Sequence, residues 1–401
     1  MKRIMTGAAL LLGAAQVQAD TGGLTYGVRP AYLVSKMTDG PLKEDLQACL
    51  DQTPQRTAFS IGHRGASMMF PEHTVEANRA AAAMGAGILE CDVTFTKDKQ
   101  LVCRHAQDDL HTTTNILTTD LASTCVSPFT PATGDTPAQA ECRASDLTLE
   151  QFRQLTPKMD SADRSATTAE AYQGGVAPWR TTAFAQDATL LTHAESIALF
   201  DSLGADFTPE LKAPVVEMAF EGFSYTDYAD KLIAEYREAG IAPNRVWPQS
   251  FDLEIVKHWI STAGDYGAQA VYLMDEYRID GYSPMDPETW PHSMAELKEM
   301  GLNYIAPPIW MLLTVEDEKI VPSTLARHAK EAGLGMIAWS LERSGPLAEG
   351  GGWYFSSVNE AITTDGDYFT VVDVLAQQVG VTGIFSDWPA TVTYYANCKG
   401  L

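Results

Sequence analysis

The sequence predicts a closed (β/α)8 TIM barrel, and three observations carry that prediction. Short apolar strand-like runs recur eight times along the 401 residues. Amphipathic helical stretches separate most of them, the signature of parallel strands joined by crossovers. Chemically distinctive residues fall at the ends of those runs, where barrel enzymes assemble their sites. A doubly wound open sheet is the alternative reading of the same alternation.

The elements follow in order. Residues 1–19 read as a secretory signal: Lys2 and Arg3 open it, Ala8 to Ala15 form a short apolar segment, and Val17-Gln18-Ala19 is a small-residue cleavage site. That apolar run is too short to span a bilayer, and no later run reaches about 18 apolar residues. Residues 20–57 are an N-terminal extension, and the barrel domain is expected over 58–397. Its strands are expected at 58–62, 87–93, 206–212, 246–251, 270–274, 304–309, 336–340 and 383–387. Helices are expected at 74–84, 194–203, 228–239, 293–300 and 322–332.

Residues 101–105 break the rhythm. Only about seven residues separate them from the strand carrying Asp92, too few for a parallel crossover. They should fold back as a hairpin through Lys97-Asp98-Lys99-Gln100. A turn centred there pairs residue 105 with residue 92 and sets His105 beside the carboxylates. Residues 106–189 fit no strand–helix unit and read as an insertion on the C-terminal face. It holds one helix signal at 147–155, with Asp146 or Thr148 as cap. A second insertion, 343–369, is polar and Gly-rich.

The formal charge of −24 argues against nucleic acid and anionic membranes as partners. An anionic substrate would then need a local positive site, which a metal and Arg64 could supply. Six cysteines in an exported chain imply disulfides. Cys125 and Cys142 flank a Pro-, Thr- and Ala-rich loop and form the expected pair. Cys49 and Cys398 could tie the two ends. The expected register points Cys91 away from Glu90 and Cys103 the same way as His105, which leaves their pairing open, with two free thiols as one outcome.

The densest chemistry lies between residues 61 and 105. Ile61-Gly62-His63-Arg64-Gly65 is followed by Pro71-Glu72-His73-Thr74, then Glu90-Cys91-Asp92, then Leu101-Val102-Cys103-Arg104-His105. Strand alternation puts Glu90 and Asp92 on one face. Two carboxylates facing one way repel unless a cation or proton sits between them, so a hard divalent metal is the natural occupant. Glu210 and Lys212 share a face of the next strand. Gln249-Ser250-Phe251, Trp339 and Asp387 close later strands. Alone, a Glu-x-Lys pair reads as a surface motif, Trp339 as core and Asp387-Trp388-Pro389 as a turn. Their order along the chain is what argues for a site.

In that order the motifs resemble the glycerophosphodiester phosphodiesterase family, over about residues 60–390. The resemblance implies a β/α barrel with an insertion. It implies Glu90, Asp92 and Glu210 as ligands of a divalent cation, Ca²⁺ or Mg²⁺. It implies His63 and His105 as a general acid/base pair, and Arg64 and Lys212 as phosphate-holding groups. Glu72 would shape the site or contact substrate. The alcohol head group is expected toward Phe251, Trp339 or Trp388. The chain departs from the family pattern twice. Ala106 stands where Asp commonly follows the second histidine, leaving Asp108 or Asp109 as substitutes. Trp388 stands where Arg is common. The function implied is hydrolysis of small, soluble glycerophosphodiesters such as glycerophosphocholine by an exported enzyme without a membrane anchor. The alternatives are a phospholipase D-like lyase acting on lyso- or sphingolipids, a two-carboxylate glycosidase, and a binding protein that keeps the pocket.

Overall fold

The computed structural model describes residues 23–401, so the expected export signal lies outside the described residues. The strands are β1 (Thr57–Gly62), β2 (Ala86–Phe95), β3 (Leu101–Cys103), β4 (Ser127–Thr130), β5 (Gln139–Glu141), β6 (Asp206–Leu211) and β7 (Gln249–Ser250). They continue as β8 (Val271–Leu273), β9 (Tyr304–Ala306), β10 (Leu313–Glu316), β11 (Lys319–Pro322), β12 (Gly335–Leu341) and β13 (Gly383–Ser386). Eight of these pair in parallel in the circular order β1-β2-β6-β7-β8-β9-β12-β13, and β1 closes the ring. The expected (β/α)8 barrel is therefore the observed architecture. Ile61, Ile88, Val271, Leu273, Ala306, Ile337 and Phe385 fill its interior.

Helices start where the sequence supplies caps. Thr192 with Glu195, Ser224 with Asp227 and Ser293 with Glu296 each form a reciprocal capping box. The strand expected at 246–251 shrinks to two residues, because Pro248 has no N–H to give the ladder. The strand expected at 304–309 stops at Ala306, before Pro307 and Pro308. The expected helix at 147–155 is a single turn, Leu149–Phe152, with Thr148 rather than Asp146 as its cap. An unforeseen hairpin pairs β10 with β11. Its loop residues Asp317 and Glu318 both take left-handed φ, 49° and 62°, as a two-residue hairpin turn requires without showing the usual glycine.

The hairpin after β2 forms, with a register one residue away from the expected one. Val93 faces Cys103, and the Arg104 amide donates to the Asp92 carbonyl at 2.8 Å. Five residues, 96–100, join the strands; Lys99 sits at φ 60° and its amide donates back to the Thr96 carbonyl. A one-residue shift exchanges faces. Cys103 thus joins Cys91 on the outer face of the barrel, and the two form a disulfide rather than free thiols. Cys49–Cys398 and Cys125–Cys142 are also bonded.

The N-terminal extension forms helices Arg29–Lys36 and Pro41–Ala48, which pack on the C-terminal helix Ala390–Lys399. The segment after His105 has its own small core around Leu110, Ile116, Leu147, Phe152 and Tyr172. No helix among the described residues is long and apolar enough to cross a membrane.

Candidate active site

The turn after β1 aims the first functional group. Arg64 sits at φ 57° and Gly65 at φ 87°, and a Cβ on Gly65 would lie 2.6 Å from the Ala77 backbone. Only glycine lets the turn press against the helix Val75–Ala83 in this way. His63 is thereby pinned at the end of β1. Its Nδ1 faces the Asp387 carboxylate from the end of β13 and lies 3.0 Å from Ser340 Oγ of β12. Burial lowers the imidazole pKa and Asp387 pulls it back up, with a net position below the ordinary value. Burial likewise raises Asp387, but Arg343 and His63 outweigh it and hold the carboxyl well below its usual range.

β2 and β6 deliver the acids. Asp92 faces Glu210 across the β2–β6 ladder. Glu90, Asp92 and Glu210 are all buried and each offers an oxygen within 4.8 Å of the other two. Glu90 accepts from the Arg64 amide at 2.8 Å and from Gln249 Nε2 at 3.1 Å. Burial, then Asp92 and Glu210, push its pKa well above normal. Burial and the Asp92 charge push Glu210 up to about 7, against the pull of Lys212. Burial raises Asp92 too, but Lys212, His73 and Arg64 more than reverse this. Asp92 Oδ2 takes a 2.9 Å contact from His73 Nε2, while Asp92 Oδ1 is buried with no hydrogen-bond partner. Mutual repulsion, an orphaned carboxylate oxygen and an all-oxygen donor set together fit a hard divalent cation.

The cations lie around these acids. Lys212 Nζ is 2.6 Å from Glu210 Oε1. Arg64 bonds Glu72 at 2.9 Å and lies 3.5 Å from Asp92. Glu72 also accepts from Arg343 at 3.0 Å, so two guanidinium groups hold it well below the carboxylate range despite its burial. His105 leaves β3 and enters the same pocket. Burial, then Arg64 and Lys212, push its pKa well below the ordinary value. Oxygens of Glu72 and Asp109 lie within 4.8 Å of a ring nitrogen of His105. Of the two expected substitutes, Asp109 is the one that lies near His105, and its Oδ2 accepts from the Ala106 amide at 3.0 Å.

One cavity of about 340 Å³ gathers His63, Arg64, Glu90, His105, Glu210, Lys212, Phe251 and Trp339. Asp92 and Glu72 stand directly behind it. Trp388 does not reach it. Its ring lies under the Arg29 guanidinium at 5.1 Å, packed against the N-terminal extension. Sequence reasoning missed Gln249 as a Glu90 partner and did not place His73 in the site, where it bonds Asp92. It also missed Arg343, which bridges Glu72, Asp387 and Asp160. The Pro-Glu-His-Thr spacing was a signal for His73. Nothing in the polar run around Arg343 distinguished it.

This site is that of a phosphodiester-hydrolysing β/α barrel, and comparison with known proteins agrees. Residues 63–391 match the glycerophosphoryl diester phosphodiesterase family, and the chain belongs to it and is an enzyme of that class. An "Extracellular protein" of Arthroderma benhamiae is 45% identical over 249 residues, 61% of this chain and 100% of that one. The glycerophosphodiester phosphodiesterase of Haemophilus influenzae is 24% identical over 358 residues, 82% of this chain and 87% of its own. Among solved structures, a putative glycerophosphoryl diester phosphodiesterase of Silicibacter pomeroyi shares the fold. Its TM-score is 0.57 at 19% identity, covering 89% of this chain and 98% of that one. A phosphodiesterase of Oleispira antarctica, solved with the product sn-glycerol-3-phosphate, has a TM-score of 0.50 at 16% identity, covering 86% and 97%.

Proposed function

We propose that this chain hydrolyses glycerophosphodiesters, such as glycerophosphocholine, to glycerol 3-phosphate and an alcohol, with the help of Ca²⁺ or Mg²⁺. The observation that carries this reading is the convergence of three carboxylates, two histidines, an arginine and a lysine on one cavity. Glu90, Asp92 and Glu210 would hold the cation, which when bound would draw charge from the phosphate oxygens. Arg64 and Lys212 neutralise the remaining phosphate charge and the charge that develops in the transition state.

The two imidazoles divide the proton work. His63 is backed by the ionised Asp387, which stabilises its protonated form and orients the ring. It donates a proton to the departing alkoxide. Burial and two neighbouring cations keep His105 neutral, so it accepts the proton of the attacking hydroxyl, from water or from the substrate's own 2-hydroxyl. Each transfer contributes on the order of a hundred-fold or more. The site prefers deacylated, water-soluble diesters, because a strongly acidic chain does not dock on anionic bilayers.

Export with cleavage near Ala19 completes the reading, supported by three disulfides and by the name of the Arthroderma relative. The deciding assay is release of glycerol phosphate from a panel of glycerophosphodiesters, with and without chelator. No release from any of them would overturn the proposal. A second reading, a lyase acting on lyso- or sphingolipids, draws support from Val215, Ile279 and Trp353, apolar residues exposed on loops that follow β6, β8 and β12. Faster turnover of lysophosphatidylcholine than of glycerophosphocholine would favour it.

A further inference from the structure

Arg343 takes no part in lining the cavity, whose wall is made of the charged groups described above and of the rings of Phe251, Tyr277, Trp339 and Tyr354. It stands two residues past the end of β12, and its guanidinium meets three carboxylates at once. Nη1 donates to Asp387 Oδ2 at 3.3 Å. Nη2 donates to Glu72 Oε2 at 3.0 Å and to Asp160 Oδ2 at 2.7 Å. Two of these carboxylates have a second duty. The other oxygen of Asp387 faces His63, and the same oxygen of Glu72 accepts from Arg64 at 2.9 Å. One planar fork therefore sets the distance between the carboxylate behind the general acid and the carboxylate behind the phosphate-holding arginine. A guanidinium fixes such a geometry where a compact ammonium does not.

The elements around Arg343 hold it from two directions. Glu342, just before it, sits at φ 67°, and its buried carboxylate accepts from Ser386 Oγ and Thr391 Oγ1, both at 2.8 Å. The chain that carries Arg343 is thus tied to β13 and to the last helix. The third carboxylate comes from the insertion. Asp160 Oδ1 also accepts from Arg180 Nη1 at 2.5 Å, and Arg180 Nε donates at 3.1 Å to the Ser67 carbonyl in the turn after β1. The segment around Asp160 is itself pinned, because the Lys158 ammonium donates to the carbonyls of Thr112 and Ser161 at 2.8 Å and of Met159 at 2.6 Å. Arg64, Arg180 and Arg343 balance Glu72, Asp160 and Asp387 in charge. Removing one member of such a buried set leaves the others unpaired, at a cost.

We propose that Arg343 is a positioning residue for both halves of the reaction, setting Asp387 behind His63 and Glu72 behind Arg64, and that Asp160 makes the insertion part of the site by holding Arg343 in place. The inference rests on the phosphodiesterase reading for the roles of His63 and Arg64.

The test uses two glycerophosphodiesters, one of choline and one of p-nitrophenol. The choline alkoxide needs the proton of His63 to leave, whereas p-nitrophenolate departs as the free anion. Arg343→Met should lower kcat on the choline diester by about a hundred-fold, the size of one lost proton transfer, and on the p-nitrophenyl diester by roughly tenfold or less. KM should rise on both, because Arg64 loses the placement of its partner Glu72. Asp160→Asn should show the same gap between substrates at roughly tenfold, and should add nothing in the Arg343→Met background. Arg343→Lys keeps the charge but not the fork, and should show the gap at a smaller size; with Asp160→Asn it carries the comparison if Arg343→Met does not fold. Equal losses on the two substrates, an unchanged KM on both, or an effect of Asp160→Asn that simply adds to that of Arg343→Met would each overturn the proposal. Proton NMR of the resting protein reads the placement without turnover. The Nδ1 proton between His63 and Asp387 should resonate far downfield in the wild type and move upfield in Arg343→Met and in Asp160→Asn. No movement in either variant would overturn the proposal. Failure of the wild type to cleave either diester would overturn the phosphodiesterase reading alone, and the resonance would still decide the positioning.

Discussion

The two sides of the cavity are built on opposite plans. On the charged side, formed by the carboxylates, histidines, Arg64 and Lys212, several groups at strand ends are held by partners from other elements: His63 by Asp387, Glu90 by Gln249, Asp92 by His73 from the turn after β1. On the aromatic side the rings come mostly from loops and hold one another. A buried charge must be neutralised or hydrogen-bonded at a defined distance, which only a fixed strand register supplies. Rings attract through broad surfaces and tolerate looser placement. The charged side is therefore tied to strand register, whereas the aromatic side is assembled largely from loops.

The largest expected effect tests that division directly. His63→Ala and His105→Ala should each lower kcat by about a thousand-fold or more while the circular dichroism spectrum is unchanged. His73→Ala should cost less, because it acts on Asp92 and not on the reacting atoms. Trp339→Ala should mainly raise KM. If Trp339→Ala lost as much kcat as His63→Ala, the two sides would not be separable.

Cation removal comes next. Glu90→Gln, Asp92→Asn and Glu210→Gln should each weaken binding of Ca²⁺ or Mg²⁺ and activity together, by roughly a hundred-fold for one lost ligand. Elemental analysis that found stoichiometric zinc, or full activity after exhaustive chelation, would contradict an all-oxygen hard-cation site. Asp387→Asn should cost about a hundred-fold in kcat with little change in KM, since it removes the charge behind His63 without touching substrate. A loss confined to KM would show that Asp387 contacts substrate instead.

How much of this was legible in sequence follows the same division. Glu90, Asp92, Glu210, Lys212 and both histidines were readable because strand alternation and motif spacing are local properties. The partners of those groups were not. Arg343 lies 271 positions from Glu72, the separation of their ion pair in the chain, and no local pattern joins them. The β2–β3 register failed by one residue because Lys99 takes a left-handed conformation that its identity does not announce. That single slip also misread the cysteines. The Cys91–Cys103 bond should contribute about 3 kcal/mol, judged from its 12-residue separation. Replacing both cysteines by serine should lower the urea midpoint and leave kcat largely intact. Unchanged stability would mean that the sheet alone fixes the hairpin.

The smallest effect expected is one of pH. Burial raises the Asp109 carboxyl from 3.8 to about 7. The folded protein then binds this proton more tightly than the unfolded chain, so its contribution to stability is complete below about pH 4 and is lost as pH rises through 7. Thermal midpoints measured from pH 4 to 8 should show this decline, and Asp109→Asn should flatten it. A variant with the same slope as the wild type would assign the decline to another group.

The bond between Cys49 and Cys398 makes the backbone of the barrel a covalent circle, since it joins positions 349 residues apart. A protease that severs one peptide bond between them opens the circle but releases no fragment. The exposed loop between Cys125 and Cys142 is bridged a second time. A nick there leaves the eight-stranded ring with both ends of the cut tethered near their original places. A single cut between the bridged positions therefore leaves the molecule in one covalent piece. Limited digestion should show one band on a gel without reductant and two with it, with activity surviving the cut.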